Sequence, residues 1–469
     1  MNVAIVHYHA RPGGVTRVVE RAVESLGKNA HCLFFTGEAA RGETPLQKKI
    51  REVPNLGYST DKNAPFGEAQ GRQPLELLKR ARGAFGGEPD VWHIHNHSLG
   101  KNPALTQEVS NLAMAGQKIL LQIHDFAEDG RPDNYANLRK LSKRLYPVAE
   151  HIHYAALNQR DFSFLKAAGI PEANLHLLPN AVSPLPNSEP GAPNSEPLYV
   201  YPCRAIRRKN IGELLLWSAA MPEAKFAITL APKNPEVKPI YDAWVAFAEE
   251  LDLNVEFDAG AKLPFEEMMA KADALITTSI AEGFGLAFLE PWLAGKPLVG
   301  RNLPEITADF EQHGLDLSTL YNRLGVPLTS TAWDIGAQFF QTLEEKMRAS
   351  CEAYGHEWSD ERFEAAKLEL VQDGTVDFGI LDEELQRIII RAAKEDPSMF
   401  GDGLGDASAQ VAHNRAVVEE AYGAEAYGAH LLSIYHELLN AKPGSVRYAD
   451  GQKLLDEFLN PARFNLLRT

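Results

Sequence analysis

The stretch SIAEGFGLAFLEPW, residues 279–292, places Glu282 and Glu290 on either side of a Gly-Phe-Gly turn, with seven residues between them. Carboxylates accept hydrogen bonds from hydroxyl groups. A glycine loop that leads into a helix offers unpaired backbone N–H groups to an anion. The combination predicts a ligand that carries both hydroxyl and phosphate groups, such as a nucleotide-sugar.

The composition is typical of a globular protein. The chain has 469 residues, of which 45% are hydrophobic and 23% are charged, and this length corresponds to about two to four domains. Its formal net charge of -16 disfavours a nucleic-acid partner, which would need a local basic patch. We expect an ordinary hydrophobic core and no nucleic acid among the partners, and the oligomeric state is left open.

The cysteines and the N-terminus predict a cytoplasmic protein. Cys32, Cys203 and Cys351 are too scattered for a disulfide framework or a zinc ribbon. The start, MNVAIVHYHARPGG, is interpreted as a first strand rather than a signal peptide, and no apolar run of about 18 residues predicts a transmembrane helix. Basic pieces such as LRKLSKRLYP (138–147) are interpreted as solvated helix faces, with peripheral membrane binding as the alternative.

Strands alternate with amphipathic helices along most of the chain, the pattern of parallel sheets in α/β proteins. In the first half, NVAIVHY, DVWHIHN, KILLQIH and HIHYAAL are predicted strands. The alternation restarts at LYVYPC and continues through KFAITLA and ALITTS. The sequence therefore predicts two Rossmann-like, doubly wound parallel-sheet domains that face a ligand cleft.

The predicted domain boundaries follow from where this alternation stops. The first domain covers residues 1–182, and the Pro- and Ser-rich segment SPLPNSEPGAPNSEP, 183–197, is a linker or exposed loop. The second domain covers 198–413 and includes a helical insertion at about 308–410, which departs from the alternation. Residues 414–469 are predicted to form C-terminal helices that pack across the domains, beginning with the long helical pattern NRAVVEEAYGAEAYGAHLLSIYHELL.

Four cations follow the predicted strand LYVYPC, in the segment RAIRRKN: Arg204, Arg207, Arg208 and Lys209. Such a run is usually a solvated face. Here it follows a buried strand and precedes a helix N-terminus, and like charges so close repel one another unless an anion neutralises them. We predict phosphate binding for Arg204 and Lys209, and leave Arg207 and Arg208 open.

Two further features concern phosphate. The turn RPGG after the first strand contains Gly13 and Gly14, which allow close backbone approach at a helix start. It is not the full G-x-G-x-x-G fingerprint of dinucleotide-binding proteins. The chain contains no Asp-x-Asp pair to hold a divalent ion on a diphosphate. We therefore expect cations and helix N-termini, without a metal, to stabilise a leaving diphosphate.

Histidines are concentrated at the predicted strands, in HYH (7–9), HIHNH (93–97), HDF (124–126) and HIH (151–153). A metal site of His93, His95 and His97 would need a carboxylate with matching spacing, which the sequence does not supply. The simpler interpretation is packed, hydrogen-bonded histidines at strand ends. His124 and Asp125 instead end an apolar strand at the predicted cleft, where an imidazole could bind sugar hydroxyls or shuttle a proton.

Taken in order, these motifs resemble the family-4-type retaining glycosyltransferases of the GT-B fold. The resemblance covers most of residues 1–307 and returns at 414–440. It is carried by PGG, DVWHIHN, QIHDF, LLPNAV, CRAIRRKN, ADALITTSIAEGFGLAFLE and GKPLVGRNLPEI. It implies an acceptor-side N-terminal domain and a C-terminal domain that binds the nucleotide-sugar.

The resemblance also implies roles for individual residues. Arg204 and Lys209 would bind the donor diphosphate, and Gly14 would approach it from the N-terminal domain. Glu282 would bind hydroxyls of the transferred sugar, and Glu290 the ribose. Backbone amides that meet sugar and phosphate would come from Gly283, Phe284, Gly285 and Leu286. His124 would lie beside the anomeric carbon, with His95 and Asp125 as further acceptor-side candidates; the catalytic set would be His124, Glu282, Arg204 and Lys209.

The sequence departs from the family at several positions. Pro291 directly follows Glu290, which predicts a kink or a later helix start. Arg301 and Asn302 stand where the family commonly has a second glycine. These changes bear on donor identity more than on fold.

The motifs thus predict a retaining, metal-independent glycosyltransferase that moves a hexose from a nucleoside-diphosphate sugar to an unknown acceptor. The sugar donor is a co-substrate, and no cofactor is expected. A nucleotide-sugar epimerase on the same fold and a non-catalytic sugar-binding protein are the alternatives.

Overall fold

The computed structural model describes residues 1–39, 44–58, 76–183, 194–401 and 403–468. Most of the predicted linker at 183–197 lies outside these described residues. The strands are β1 (Asn2–His7), β2 (His31–Thr36), β3 (Ile50–Glu52), β4 (Val91–His95), β5 (Ile119–Ile123), β6 (Pro147–Val148), β7 (Ile152–Ala156), β8 (Leu175–Leu177), β9 (Leu198–Arg204), β10 (Lys225–Leu230), β11 (Val255–Glu256), β12 (Ala274–Thr277), β13 (Leu298–Gly300), β14 (Gly325–Pro327), β15 (Thr375–Asp377) and β16 (Arg447–Tyr448).

The α-helices are α1 (Gly14–Leu26), α2 (Glu76–Phe85), α3 (Pro103–Met114), α4 (Pro132–Leu138), α5 (Gln159–Ala167), α6 (Ile211–Ala220), α7 (Lys238–Glu250), α8 (Phe265–Lys271), α9 (Glu290–Leu293), α10 (Pro304–Gln312), α11 (Gly336–Tyr354), α12 (Asp360–Leu370), α13 (Glu383–Glu395), α14 (Val411–Ala421), α15 (Ala424–Asn440) and α16 (Gly451–Phe458). Among the described residues, none of the helices combines the length and the apolar run needed to cross a bilayer.

The chain divides into two compact units. Unit 1 comprises Met1–Ala181 and Tyr422–Leu459, and unit 2 comprises Val182–Ala421 and Asn460–Thr469. Each unit is built on its own parallel sheet. This arrangement is the α/β architecture of two Rossmann-like domains that the alternating sequence pattern predicts.

The sheet of unit 1 has the strand order β3-β2-β1-β4-β5-β7-β8. The register of β1 places Val3 beside Cys32 of β2 and Val91 of β4. The interior of β1 is fully buried, as expected for a parallel strand covered on both faces. The strand order reverses between β1 and β4, so the connections diverge at their carboxyl ends. In α/β sheets such a switch point is where ligands bind.

Helices α1 and α15 cover one face of this sheet. Val19 and Leu26 of α1 and Leu431 of α15 belong to one buried cluster with the strands, and each such side chain contributes about 1.5–3 kcal/mol of burial free energy. Gly428 lets α15 approach α1 closely, because an added Cβ would lie 2.8 Å from Cβ of Ser25. Helix α15, which lies late in the chain, therefore completes the core of the first unit.

The long C-terminal helical pattern is divided in the structure. α14 ends at Ala421 and α15 begins at Ala424. Gly423 between them has an extended backbone, with φ -69 and ψ 162, which interrupts the helical hydrogen bonds. The break coincides with the boundary between the units, since α14 belongs to unit 2 and α15 to unit 1.

The sheet of unit 2 has the strand order β11-β10-β9-β12-β13. Val200 of β9 lies beside Ala227 of β10 and Leu275 of β12. The order reverses between β9 and β12, so this pair forms the switch point of the second sheet. The segments RAIRRKN and SIAEGFG follow these two strands directly. The fold therefore brings the cationic segment and the glutamate loop to one edge of the sheet.

A buried arginine attaches the helical insertion to the sheet of unit 2. Arg301 follows β13 and pairs with Glu213 of α6 at 2.7 Å and with Asp377 of β15 at 2.6 Å. Its side chain is only 4% exposed, and a buried charge of this kind requires such partners. The departure from the family at Arg301 thus has a structural explanation: its partner Asp377 lies in the insertion.

Candidate active site

The cationic segment and the glutamate loop of unit 2 are joined by hydrogen bonds to backbone carbonyls. The amide of Ile280 donates to the carbonyl of Arg208 at 3.0 Å. The hydroxyl of Thr278 donates to the carbonyl of Lys209 at 2.9 Å. Because β9 and β12 are neighbours, two motifs that lie far apart in the sequence form one local structure.

Glu282 is at the centre of this structure. One carboxylate oxygen pairs with Nζ of Lys209, and the other accepts from Nη1 of Arg208 at 2.6 Å. The hydroxyl of Ser279 donates to the carboxylate at 2.7 Å. Tyr201 lies 2.8 Å from the same hydroxyl and therefore donates to it, since a hydroxyl has one proton to give. The position of the carboxylate is determined by three donors.

The charge of Glu282 is stabilised by its neighbours. Its side chain is 9% exposed. Burial by itself would raise the pKa of Glu282, but the charges of Lys209 and Arg208 outweigh burial and lower the pKa to about 2. The carboxylate is therefore ionised at physiological pH and can act only as a hydrogen-bond acceptor.

The remaining cations of RAIRRKN have different partners. Nη1 of Arg204, at the end of β9, donates to the carbonyl of Ala231 at 3.0 Å. Arg207 forms a bidentate ion pair with Glu383 of α13: Nε and Nη2 of Arg207 donate to the two carboxylate oxygens at 2.7 and 2.9 Å. Arg207 thus attaches the insertion to the sheet edge. Arg208, which the sequence left open together with Arg207, instead contacts Glu282.

The glycine loop requires glycine at Gly285. Its φ is +94°, and an added Cβ would lie 2.9 Å from Ile306 and 3.1 Å from Phe288, so a larger residue would be strained and would clash. Phe284 is buried and packs edge to face on Phe310, with ring centroids 5.6 Å apart. A ligand would therefore meet Phe284 through its backbone, as the resemblance implies.

The rest of the loop leads into α9. Gly283 is half-buried, and Leu286 begins a short 3-10 turn. Glu290 is the first residue of α9, with Pro291 in the first turn, where the missing N–H of proline would be unpaired in any case. Helix α9 thus begins only after the glycine loop, at Glu290, in agreement with the later helix start that Pro291 predicts.

The predicted acceptor-side residues lie at the carboxyl edge of the unit 1 sheet. Nδ1 of His95 lies 2.8 Å from Nε2 of His124, and their rings are stacked. Asn96 has a left-handed backbone, with φ +55°, and its side-chain oxygen accepts the amides of His124 and Asp125 at 2.7 and 3.2 Å. Asp125 also pairs with Arg131 at 2.6 Å. The structure brings the three predicted residues together.

These histidines are neutral. Burial is the main cause that lowers the pKa of His124 to about 3 and the pKa of His95 well below its ordinary value. A neutral imidazole both donates and accepts hydrogen bonds, but one with so low a pKa is a weak base at neutral pH. Of the two roles considered for His124, binding of hydroxyl groups is favoured over proton transfer.

The histidines His93, His95 and His97 do not converge on a metal site. His93 and His95 stack with ring centroids 4.3 Å apart, and His93 bonds to the hydroxyl of Tyr435 at 2.7 Å. Nε2 of His97 lies 2.8 Å from the carbonyl of Leu145. The left-handed turn after β4 ends the alternation of faces, so His97 does not share the surroundings of the other two.

Gly14 is the first residue of α1 in unit 1. An added Cβ at Gly14 would meet nothing within 4 Å. Packing within unit 1 therefore does not require glycine at this position, and the helix start is open for close approach of a ligand.

Two residues of these sites were missed in the sequence. Ser279 orients Glu282, and Asn96 fixes the loop that carries His124. Ser279 stands just before the glycine loop, and Asn96 follows a buried strand, where asparagine is typical of a left-handed turn. Neither signal indicates which distant residue the side chain contacts.

Comparison with known proteins adds to this geometry. No family model matches the chain. The chain is 28% identical over 419 residues to mannosylglucosyl-3-phosphoglycerate synthase from Petrotoga mobilis, covering 82% of the chain and 80% of that protein.

Two solved structures share its fold. Sucrose-phosphate synthase from Thermosynechococcus elongatus matches 93% of the chain and 99% of its own at 14% identity, with a TM-score of 0.52. HepE from Anabaena, in complex with UDP-glucose, matches 92% of the chain and 98% of its own at 14% identity, with a TM-score of 0.50.

The two units have the architecture of the GT-B fold, and the chain is similar over most of its length to glycosyltransferases of this fold. The sequence prediction is confirmed at this level, whereas the assignment to family 4 stays a prediction.

Proposed function

We propose that the chain transfers a hexose from a nucleoside-diphosphate sugar to an acceptor, with retention of anomeric configuration and without a metal ion on the diphosphate. The observation that carries this proposal is the buried, ionised Glu282 beside Lys209 and Arg208 at the switch point of unit 2. HepE, whose fold is similar, is described in complex with UDP-glucose. Retention rests on the resemblance of the motifs to family-4-type enzymes.

The charges of the site suit a sugar diphosphate. Arg204, Arg208 and Lys209 supply three cations against the two carboxylates of Glu282 and Glu290, so the proposed donor site keeps an excess of positive charge. When the glycosidic bond to the diphosphate breaks, negative charge develops on the leaving phosphate oxygen. Cations that are already in place stabilise this charge without reorganisation. They take the part that a divalent ion plays in metal-dependent transfer.

The ion pair between Glu282 and Lys209 would open when the donor binds, and each residue would then contact a different part of the donor. Nζ of Lys209 has three protons to donate and can turn from the carboxylate to a phosphate oxygen. The carboxylate, still held by Ser279 and Arg208, can then accept a hydrogen bond from a sugar hydroxyl. Glu290, at the start of α9, is proposed to bind the ribose.

Unit 1 would bind the acceptor through its own sheet edge. His124 and His95 supply neutral hydrogen-bonding groups for hydroxyls. Nearby, Lys101 and Arg11 each lie 5.8 Å from the ring centroid of Tyr58, and Arg11 is also paired with Glu38. Together with the name of the Petrotoga protein, which denotes a phosphorylated glycoside, Lys101 favours an acceptor that carries a phosphate or a carboxylate.

The proposal is tested by incubating the purified chain with UDP-, GDP- and ADP-sugars, with and without glycoside and phosphoglycerate acceptors, in excess EDTA. We expect release of nucleoside diphosphate only when an acceptor is present, at an unchanged rate in EDTA. An isomerised nucleotide-sugar formed without an acceptor would indicate the epimerase instead. Donor binding without turnover across the panel would indicate a sugar-binding protein, and a complete, metal-reversible loss in EDTA would contradict metal independence.

A further inference from the structure

A group of metal-binding side chains lies at the edge of the unit 1 sheet, apart from the residues considered for sugar transfer. Nδ1 of His153 in β7 and Nε2 of His176 in β8 are 2.8 Å apart. One nitrogen of each ring and one carboxylate oxygen of Glu437 in α15 all lie within 4.8 Å of one another. No other group of three metal-binding residues this close occurs in the described part of the chain.

The fold explains why these residues meet. In the parallel pair β7 and β8, Ala155 lies opposite His176. His153, two residues before Ala155, therefore projects from the same face and is a diagonal neighbour of His176. α15 covers this face, and its Leu438 is buried in the cluster that includes Ala155. Glu437, the residue before Leu438, is exposed at the margin of the helix.

The donor set suits a borderline divalent ion. Two imidazoles and a carboxylate are typical of zinc sites, whereas magnesium prefers oxygen donors alone. Burial is the main cause that lowers the pKa of His153 and His176 to about 4, so both rings are neutral at physiological pH, as metal ligands must be. Among the described residues, Glu437 has neither a hydrogen bond nor an ion pair, so its carboxylate remains available.

The distances require only small movements. Tetrahedral zinc with donors at about 2.0–2.1 Å separates neighbouring donor atoms by about 3.3 Å. The imidazole nitrogens are closer than this by about half an ångström, and Glu437 is within reach by a change of its side-chain rotamer. His430, two turns before Glu437 on α15, lies near enough to lower the pKa of His176.

We propose that His153, His176 and Glu437 bind one zinc-type divalent ion, with water in the fourth position. The ion joins α15, which lies near the end of the chain, to the edge strand of the unit 1 sheet. It stabilises the first unit and takes no part in sugar transfer.

The test uses the full chain without an affinity tag, freed of metal by EDTA and then desalted. Titration calorimetry with zinc should show one ion per chain. Zinc should also raise the midpoint of thermal unfolding by a few degrees, because an ion that binds only the folded state stabilises it by mass action. Magnesium at the same concentration should produce neither effect.

The variants H176Q and E437Q should each bind zinc at least about tenfold more weakly while keeping the wild-type unfolding midpoint in EDTA to within a few degrees. H436Q is the matched control, because His436 is the exposed neighbour of Glu437 on the same helix but lies outside the group; its zinc affinity should be that of wild type. Absence of saturable zinc binding in wild type, or equal affinity in H176Q and E437Q, would overturn the proposal. Sugar transfer by H176Q tests the proposed function separately and should be normal.

Discussion

Glu282 of unit 2 and the His95–His124 pair of unit 1 both lie at the carboxyl edges of their sheets. Glu282 follows β12 and His95 ends β4, each a strand at the switch point of its sheet, whereas His124 follows the next strand, β5. Both contain buried ionisable groups with lowered pKa values, but the causes differ. The pKa of Glu282 is low because Lys209 and Arg208 outweigh burial, whereas that of His124 is low because burial disfavours its charge. The edge of the unit 2 sheet therefore carries fixed charges, which we propose bind an anion, and the edge of the unit 1 sheet carries neutral imidazoles, which we propose bind hydroxyl groups.

The largest expected effect is on transfer by variants of the charged edge. K209A and E282Q should each lower kcat/KM by about 10²–10³-fold, the usual result of removing a group that stabilises a developing charge. R207A is the matched control, because Arg207 belongs to the same segment but pairs with Glu383. Its kcat/KM should stay within about threefold of wild type. Equal losses of kcat/KM in all three variants would contradict the roles assigned to Lys209 and Glu282 and would show that only the net charge of the segment matters.

A smaller effect, which distinguishes the roles of Lys209 and Glu282, is expected on the affinity for a nucleoside diphosphate that carries no sugar. K209A should bind UDP or GDP about 10–100-fold more weakly, since a charge-assisted hydrogen bond contributes roughly 1.5–3 kcal/mol. E282Q should bind the diphosphate at least as tightly as wild type, because it removes the carboxylate that competes for Lys209. Titration calorimetry measures both. A weaker diphosphate complex in E282Q would contradict the assignment of Glu282 to the sugar.

The smallest expected effect is on the pH dependence of the free energy of unfolding. His124 at the unit 1 sheet edge and Glu282 at the unit 2 sheet edge should lower this free energy over different pH ranges. A group whose pKa is lowered on folding contributes its full stability above its unfolded pKa, and this contribution is lost progressively as the pH falls from the unfolded pKa to the folded pKa. For His124, with a folded pKa of about 3, the loss between about pH 7.5 and 5 is of the order of 2 kcal/mol. For Glu282, with a folded pKa of about 2, the loss between about pH 6 and 3.5 is roughly 1–2 kcal/mol.

Urea unfolding at a series of pH values measures the free energy of unfolding and distinguishes the two pH ranges. H124Q should reduce the slope in the higher window, to which other buried histidines such as His93 and His97 also contribute, and leave the lower window unchanged, and E282Q should do the reverse. If both variants changed the same window, the two edges would not titrate independently.

The sequence predicted the sheets well because local patterns determine them. Continuous apolar runs such as VAIV in β1 identify buried parallel strands, and the spacing of Val18, Val19 and Leu26 identifies α1. Short-range features were harder to predict. Gly423 divides a helical pattern that continues in composition, and Asn96 ends β4 in a left-handed turn that separates His97 from His93 and His95.

The sequence identified the residues of the candidate site but did not predict which of them contact one another. Glu282 and Lys209 were each chosen from their own motif, yet their ion pair depends on β9 lying beside β12. Arg207 and Arg208 were indistinguishable in the sequence, because the partner that separates them, Glu383, lies in the insertion. The zinc group was not predicted either, since His153, His176 and Glu437 come from three distant segments.

The central claim is tested most directly by a crystal structure of the chain with a bound nucleoside-diphosphate sugar. We expect a phosphate oxygen within hydrogen-bond distance of Nζ of Lys209, the present Lys209–Glu282 pair opened, and a sugar hydroxyl donating to Glu282. A donor bound elsewhere in unit 2, with the Lys209–Glu282 pair intact, would contradict the account.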